Sequence, residues 1–220
     1  MEADELTPVM QDYLKVIWSA VEWGDPPITT TGLADRFGTS RANVSDVMRR
    51  LQAHGLVDYE PYRPVALTAL GERLALAMVR RHRLIECFLA DVLGYTWDEV
   101  HDDAERLEHA ASERFLGRID VLLGHPDADP HGDPIPTAEG HWQPPAGVVP
   151  LADAEPGAHL VARVSDADPA ALARLEALGL RPGAPVTVRD GAPRYTNAVG
   201  VPLELGEAEE RGVRVRPARD

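Results

Sequence analysis

The sequence predicts a mainly α-helical protein with a small β component: an N-terminal winged helix-turn-helix, a helical dimerisation domain and a C-terminal SH3-like β barrel. Three observations carry this expectation. Residues 29 to 67 read as a helix, a glycine turn, a capped helix and two extended runs about a proline-containing turn. From His82 to His109, two helices meet at Gly94-Tyr95, and their histidines and carboxylates recur at spacings of three and four, which share one helical face. Beyond a proline-rich segment, short strand-like runs and one helix form a separate small unit. The expected boundaries are 1–70, 71–124, a linker at 125–150, and 151–220.

Composition narrows the function. A chain of 220 residues, 44% of them hydrophobic, can bury one core and a second, smaller one. The single cysteine, Cys87, excludes an internal disulfide and a multi-thiolate zinc site and fits a reducing compartment. No long uncharged apolar run occurs and MEADELTP lacks the order of a signal peptide, so a soluble, cytoplasmic protein without a membrane partner is expected. A net charge of -14 opposes general adhesion to nucleic acid but says nothing of a local basic face.

Thr7-Pro8 starts the first helix, a capping hydroxyl before a proline, and Val9, Tyr13, Val16, Ile17 and Ala20 carry it to about Trp23. Asp12 lies on it, either a solvated carboxylate or a ligand. Residues 31 to 37 form the next helix, Gly38-Thr39 the turn, and Ser40 caps a helix ending at Gly55. That helix buries Val44, Val47, Met48 and Leu51, leaving Ser40, Arg41, Asn43, Ser45, Arg49 and Arg50 exposed. Short polar groups near its start suit base edges and the arginines suit phosphates, against the plainer reading of a solvated face. The hairpin that follows favours DNA, with Arg63 at its tip as a phosphate contact.

Thr68 caps a helix over about 69–92 that carries Arg80, Arg81, His82 and Arg83, the arginines read as solvated. Thr96 to Glu99 is a capping box, so Trp97 should open the next helix. Ser112-Glu113 starts another, ending near Gly124, whose apolar Phe115, Leu116, Ile119, Leu122 and Leu123 read as a dimer seam or as core. His125, His131 and His141 fall in the proline-rich linker and are taken as linker residues rather than ligands. In the last unit, strands are expected at 158–164, 185–189, 199–205 and 213–216, with a helix from Asp168-Pro169 to Gly179. Nothing there looks catalytic.

His82 and Glu86 pair on one helix, while His101, Glu105, Glu108 and His109 share an arc of the next. His101 lies about two turns before His109, which divides the ligands between two sites. With the winged helix, these residues resemble the diphtheria toxin repressor family of iron- and manganese-dependent transcriptional regulators. The resemblance runs through Asp12-Tyr13-Leu14, Tyr59-Glu60-Pro61-Tyr62-Arg63, Arg81-His82-Arg83-Leu84, Trp97-Asp98-Glu99-Val100-His101, Glu108-His109, Gly132-Asp133-Pro134-Ile135-Pro136 and Leu178-Gly179-Leu180-Arg181-Pro182-Gly183. It implies a homodimer that binds palindromic double-stranded operator DNA when loaded with metal at two sites per chain. Asp12, Glu105, Glu108 and His109 would form the primary site, and His82, Glu86 and His101 the ancillary one.

Iron-responsive members have a methionine where this chain has Asp12 and a cysteine where it has Glu105. Carboxylates at both favour Mn2+, with Fe2+ as the alternative. The short, two-domain manganese regulators carry a glutamate in place of Lys15, so the ancillary site looks like that of the iron regulators, which borrow ligands from the C-terminal domain. Asp166 is the candidate here. A carboxylate-bridged metalloenzyme is the rival from another class, but the Glu-x-x-His repeat such enzymes place on two helices is absent. A winged-helix regulator of an organic ligand is the other, whereas the resemblance implies no small organic substrate.

Overall fold

The computed structural model describes residues 5–61, 63–97 and 99–218; Tyr62 and Asp98 of the quoted motifs lie outside them. Contacts divide the chain into two compact units. The first comprises Met1–His82, Glu108–Ala111 and Pro136–Gln143. Arg83–Leu107, Ser112–Ile135 and Pro144–Asp220 make up the second.

In the first unit, α1 (Pro8–Glu22) begins where Thr7 Oγ1 accepts the Met10 N–H and Pro8 takes a position that needs no donor. Helix α2 (Thr30–Arg36) and α3 (Arg41–Ala53) are capped the same way, by Thr29 and by Ser40, whose Oγ accepts the Asn43 N–H. Between them Gly38 takes φ +59, a left-handed turn that a side chain would strain. The wing is β1 (Val57–Asp58) paired antiparallel with β2 (Ala66–Leu67). Met10, Leu14, Ile17 and Trp18 of α1 share one core with Leu33, Val44, Met48 and Leu51, so α1 is packed directly on the helix-turn-helix.

Helix α4 (Ala69–Asp91) starts at Thr68, whose hydroxyl donates to the Gly55 carbonyl and accepts the Gly71 N–H. Gly71 packs so closely on the Leu56 carbonyl that a Cβ there would collide with it. Its arginines are not the solvated groups expected. Arg81 and Arg83 are buried, and Arg80 donates to the Pro136 carbonyl.

The second unit holds α5 (Val100–Glu108) up to Leu107, α6 (Glu113–Leu122), β3 (Val149–Pro150), β4 (Gly157–Val164), α7 (Pro169–Ala177), β5 (Pro185–Val188), β6 (Tyr195–Asn197), β7 (Pro202–Leu203), α8 (Glu207–Arg211) and β8 (Val213–Pro217). The strands form one antiparallel sheet, β3-β8-β4-β5-β6-β7, over a core of Leu151, Val161, Leu172, Leu175, Val186 and Val215. On α6, Leu116 and Ile119 face inward, while Phe115, Val121 and Leu122 stay exposed.

Two expectations fail here. Trp97 does not open a helix: the Glu99 carboxylate accepts the Thr96 N–H as in a capping box, but 97 and 99 remain in a turn and α5 begins at Val100. The Trp97 ring is instead taken up by the sheet-domain core and stacks on His131. Nor is 125–150 a plain linker. Asp129, His131 and Asp133 are buried, Ala128 bridges Pro134, and the His131 carbonyl accepts the Val164 N–H of β4.

Replacing Gly71 with Ala should cost about 1–3 kcal/mol, the usual penalty of overpacking, despite the better helix propensity of alanine. Urea unfolding of the two proteins measures this, and an unchanged midpoint would contradict the close approach.

Candidate functional site

On α3, Ser40, Arg41, Asn43, Arg49 and Arg50 are exposed and Ser45 is half-buried. The Asn43 amide donates to Thr39 Oγ1, and Arg49 Nε to the Ser45 carbonyl. The Tyr59 hydroxyl donates to Ser45 Oγ at 3.1 Å while Gln52 Nε2 donates to the Tyr59 carbonyl, so the wing is tied to the face of α3. Arg63 pairs with Glu60 at the wing tip, both exposed.

Also in the first unit, Asp12 on α1 meets Glu108 and His109 at the end of α5, and one ligand atom from each lies within 4.8 Å of the others. Asp12 Oδ1 stands 3.0 Å from His109 Nε2, which is 3.8 Å from Glu108 Oε1. Ligands about 2.1 Å from one cation and at right angles stand about 3 Å apart, so this donor set fits a small divalent ion. Glu108 is fully buried, with the Lys15 ammonium 2.6 Å from Oε1 and His82 Nδ1 2.6 Å from Oε2. Burial would raise its pKa, but the hydrogen bond and charge of His82 and the Lys15 ammonium outweigh that and lower it. Lys15, where the sequence departs from the short manganese regulators, thus serves as the counterion of Glu108. His82 is engaged with Glu108, rather than only with Glu86 one turn on along α4.

The second unit gathers Glu86, His101 and Asp166 with two residues the sequence reading passed over. His101 Nδ1 is 3.1 Å from Asp166 Oδ2 and 3.5 Å from Glu86 Oε1. Burial opposes a charge on His101, but the Asp166 and Glu86 carboxylates beside its ring prevail and push its pKa up to about 10. Asp166, opposed by its own desolvation, is drawn down to about 2 by the neighbouring His101. Glu105, placed by the resemblance at the primary site, lies in this unit with its carboxylate 3.7 Å from His101 Nε2.

Asp129 and His131 form a further cluster with Glu86, all three buried. The His131 Nε2–H donates to the Trp97 carbonyl at 2.8 Å, which turns Nδ1 toward Glu86 Oε2, 4.0 Å away. That nitrogen is buried and makes no hydrogen bond. Burial opposes a charge on the ring, but Asp129, Glu86 and Asp166 outweigh it and raise the pKa, so the orphaned atom suits a positive charge that either a proton or a metal ion can supply. Asp129 is held in place: Oδ1 accepts the N–H groups of His131 and Asp133, and Oδ2 pairs with Arg83 Nε at 3.3 Å. Burial and the neighbouring Asp133 and Glu86 push its pKa upward against Arg83. Reading His131 as a linker residue followed from the prolines around it; the available signal was Asp-x-His within a segment that also holds Gly132.

Fold and site define a class: a winged-helix protein with clustered carboxylates and histidines able to hold metal and a C-terminal sheet domain. Three family profiles match in the same order, "Iron dependent repressor, N-terminal DNA binding domain" over residues 5–65, "Iron dependent repressor, metal binding and dimerisation domain" over 68–137, and "FeoA domain" over 149–209. The diphtheria toxin repressor of Corynebacterium jeikeium is 30% identical over 93% of this chain and 96% of its own length. The iron-dependent repressor IdeR of Mycobacterium tuberculosis is 38% identical over 60% of this chain; the match spans 57% of that relative. Among solved structures, a manganese-dependent transcriptional repressor in complex with manganese superposes with a TM-score of 0.86 at 43% identity, covering 95% of this chain and 100% of that one. ScaR with bound Cd2+ gives 0.82 at 31% identity over 95% and 99%. The chain belongs to the iron-dependent repressor family, whose members are metal-dependent transcriptional repressors rather than enzymes. No helix among the described residues is long and apolar enough to cross a membrane.

Because the His101 pKa is raised from 6.5 to about 10, its protonated form contributes stability that is complete below pH 6.5 and is lost as pH climbs through about 10. Metal-free protein should therefore lose thermal stability across that window, and His101→Gln should flatten the slope. Equal slopes in melting curves of the two chains would show that the pairing is absent.

Proposed function

We propose that this chain is a manganese-activated transcriptional repressor, acting in the cytoplasm as a homodimer on palindromic operator DNA. The observation that carries the reading is the convergence of Asp12 from α1 with Glu108 and His109 in a cluster without sulfur, a donor set suited to Mn2+. Support comes from the manganese-bound relative of the same fold. When bound, the ion supplies positive charge that two carboxylates and an imidazole share. Restraining Asp12 then restrains α1, whose Met10 and Leu14 pack in the core with Val44 and Met48 of α3. Without the ion, Lys15 holds α1 to Glu108, and the ion adds the link through Asp12 that tightens it. Ser40, Arg41, Asn43, Ser45, Arg49, Arg50 and Arg63 form the DNA face, short groups toward bases and arginines toward phosphates.

Glu86, His101 and Asp166 are read as a second site per chain, and the buried cluster of Asp129 and His131 with Glu86 supports including those two. Glu105, one turn before His109 on a half-exposed stretch of α5, remains a candidate fourth ligand of the first site. The iron reading rests on the iron-dependent relatives.

On an operator selected from random DNA by the Mn2+-loaded protein, Asp12→Ala should abolish metal-dependent binding; full retention would sink the mechanism. Titrating the same complex with Mn2+, Fe2+, Co2+ and Zn2+ decides the metal, and activation by Fe2+ at lower free concentration than Mn2+ would favour the iron reading. Metal analysis of dialysed His131→Ala is expected to drop from two Mn2+ per chain to one. An undiminished count would remove His131 from the second site.

A further inference from the structure

We propose that Gln11 is a positioning residue for the site at Asp12, Glu108 and His109, because its amide fixes which ring nitrogen His109 offers there. The inference rests on that site reading, and its first test needs no metal. Gln11 precedes Asp12 on α1 and is only 3% exposed. Its Nε2 donates to the Leu6 carbonyl at 3.4 Å, which leaves Oε1 to face the imidazole, 2.7 Å from His109 Nδ1. An amide oxygen can only accept, so Nδ1 must carry the proton. The opposite nitrogen, Nε2, is the one 3.0 Å from Asp12 Oδ1 and 3.8 Å from Glu108 Oε1. Its lone pair is thereby reserved for a cation.

A ring protonated at Nε2 instead would present an N–H to the cluster and could not ligate. Consecutive residues of α1 thus hold opposite sides of one imidazole: Gln11 sets its orientation and Asp12 shares its ligand position. Such outer hydrogen bonds commonly govern both tautomer and basicity of a ligating histidine. A neutral amide does this without adding a third negative charge beside Asp12 and Glu108, where another carboxylate would deepen the repulsion.

The hydrogen bond is tested by nitrogen-15 spectra of histidine-labelled, metal-free, full-length protein. A protected Nδ1–H of His109 should appear in the wild type and in Gln11→Glu, which still accepts, and should vanish in Gln11→Met. Affinity for Mn2+ alone is then read by electron paramagnetic resonance in chains whose second site is disabled by Glu86→Gln and His131→Ala. There Gln11→Met should bind about 10-fold more weakly and Gln11→Glu no more weakly than the parent. An unprotonated Nδ1 in the wild type, or parental affinity in folded Gln11→Met, would overturn the proposal. Should Gln11→Met not fold, loss of the Nδ1 proton in Gln11→Glu would do the same. If Asp12→Ala bound Mn2+ as tightly as the parent while the Nδ1 proton persisted, the site reading itself would fall, with the hydrogen bond intact.

Discussion

A carboxylate with no exposed surface has to be matched by positive charge, and the first unit is arranged around that demand at Glu108. Lys15 and His82 take one oxygen each, at 2.6 Å, and keep the group ionised. Only because Glu108 stays charged can it face His109 and Asp12 as a carboxylate able to hold a cation. The second unit solves the same problem with guanidinium groups: Arg83 pairs with Asp129 and Asp133, and Arg163 Nε lies 2.5 Å from Asp133 Oδ1. Breaking such a pair leaves a buried charge without its counterion, which typically costs about 3–5 kcal/mol. The carboxylate–histidine clusters therefore stand on ion pairs that belong to the fold.

Much of the architecture was legible because its signals are local. Thr7, Ser40, Ser112 and Asp168 each accept the N–H groups that a helix start leaves unpaired, and each stood where the sequence placed it. The same local logic misled at Thr96, where the cap interaction forms but tertiary packing of Trp97 prevents the helix. Strand β6 was missed, and the strand expected over 199–205 shrinks to Pro202–Leu203, since Gly200 and Pro202 interrupt any alternating pattern.

The candidate ligands divide in the same way. Asp12, Glu108 and His109 could be named from helical spacing and resemblance, and the structure brings them together. The remaining partners could not, because their roles exist only between segments distant in sequence. Lys15 meets a glutamate from another helix, Gln11 a histidine beyond it, and His131 a glutamate on α4. Composition even argued the wrong way for His131, as prolines on both sides make a buried imidazole look like a surface residue. Arg81 and Arg83 show the converse error, charged groups that read as solvated and are buried.

The turn at 129–134 carries a consequence for how this protein tolerates change in length. Its composition is that of a segment where insertions are normally harmless, yet Asp129 Oδ1 gathers two backbone N–H groups and Gly132 sits so near the Ala162 carbonyl that no side chain fits. One added residue between Asp129 and Asp133 would move the imidazole of His131 off Glu86 and the Asp133 carboxylate off Arg163 together. Surface loops elsewhere are the places for tags, fusions and natural indels; this one is as fixed in length as a strand.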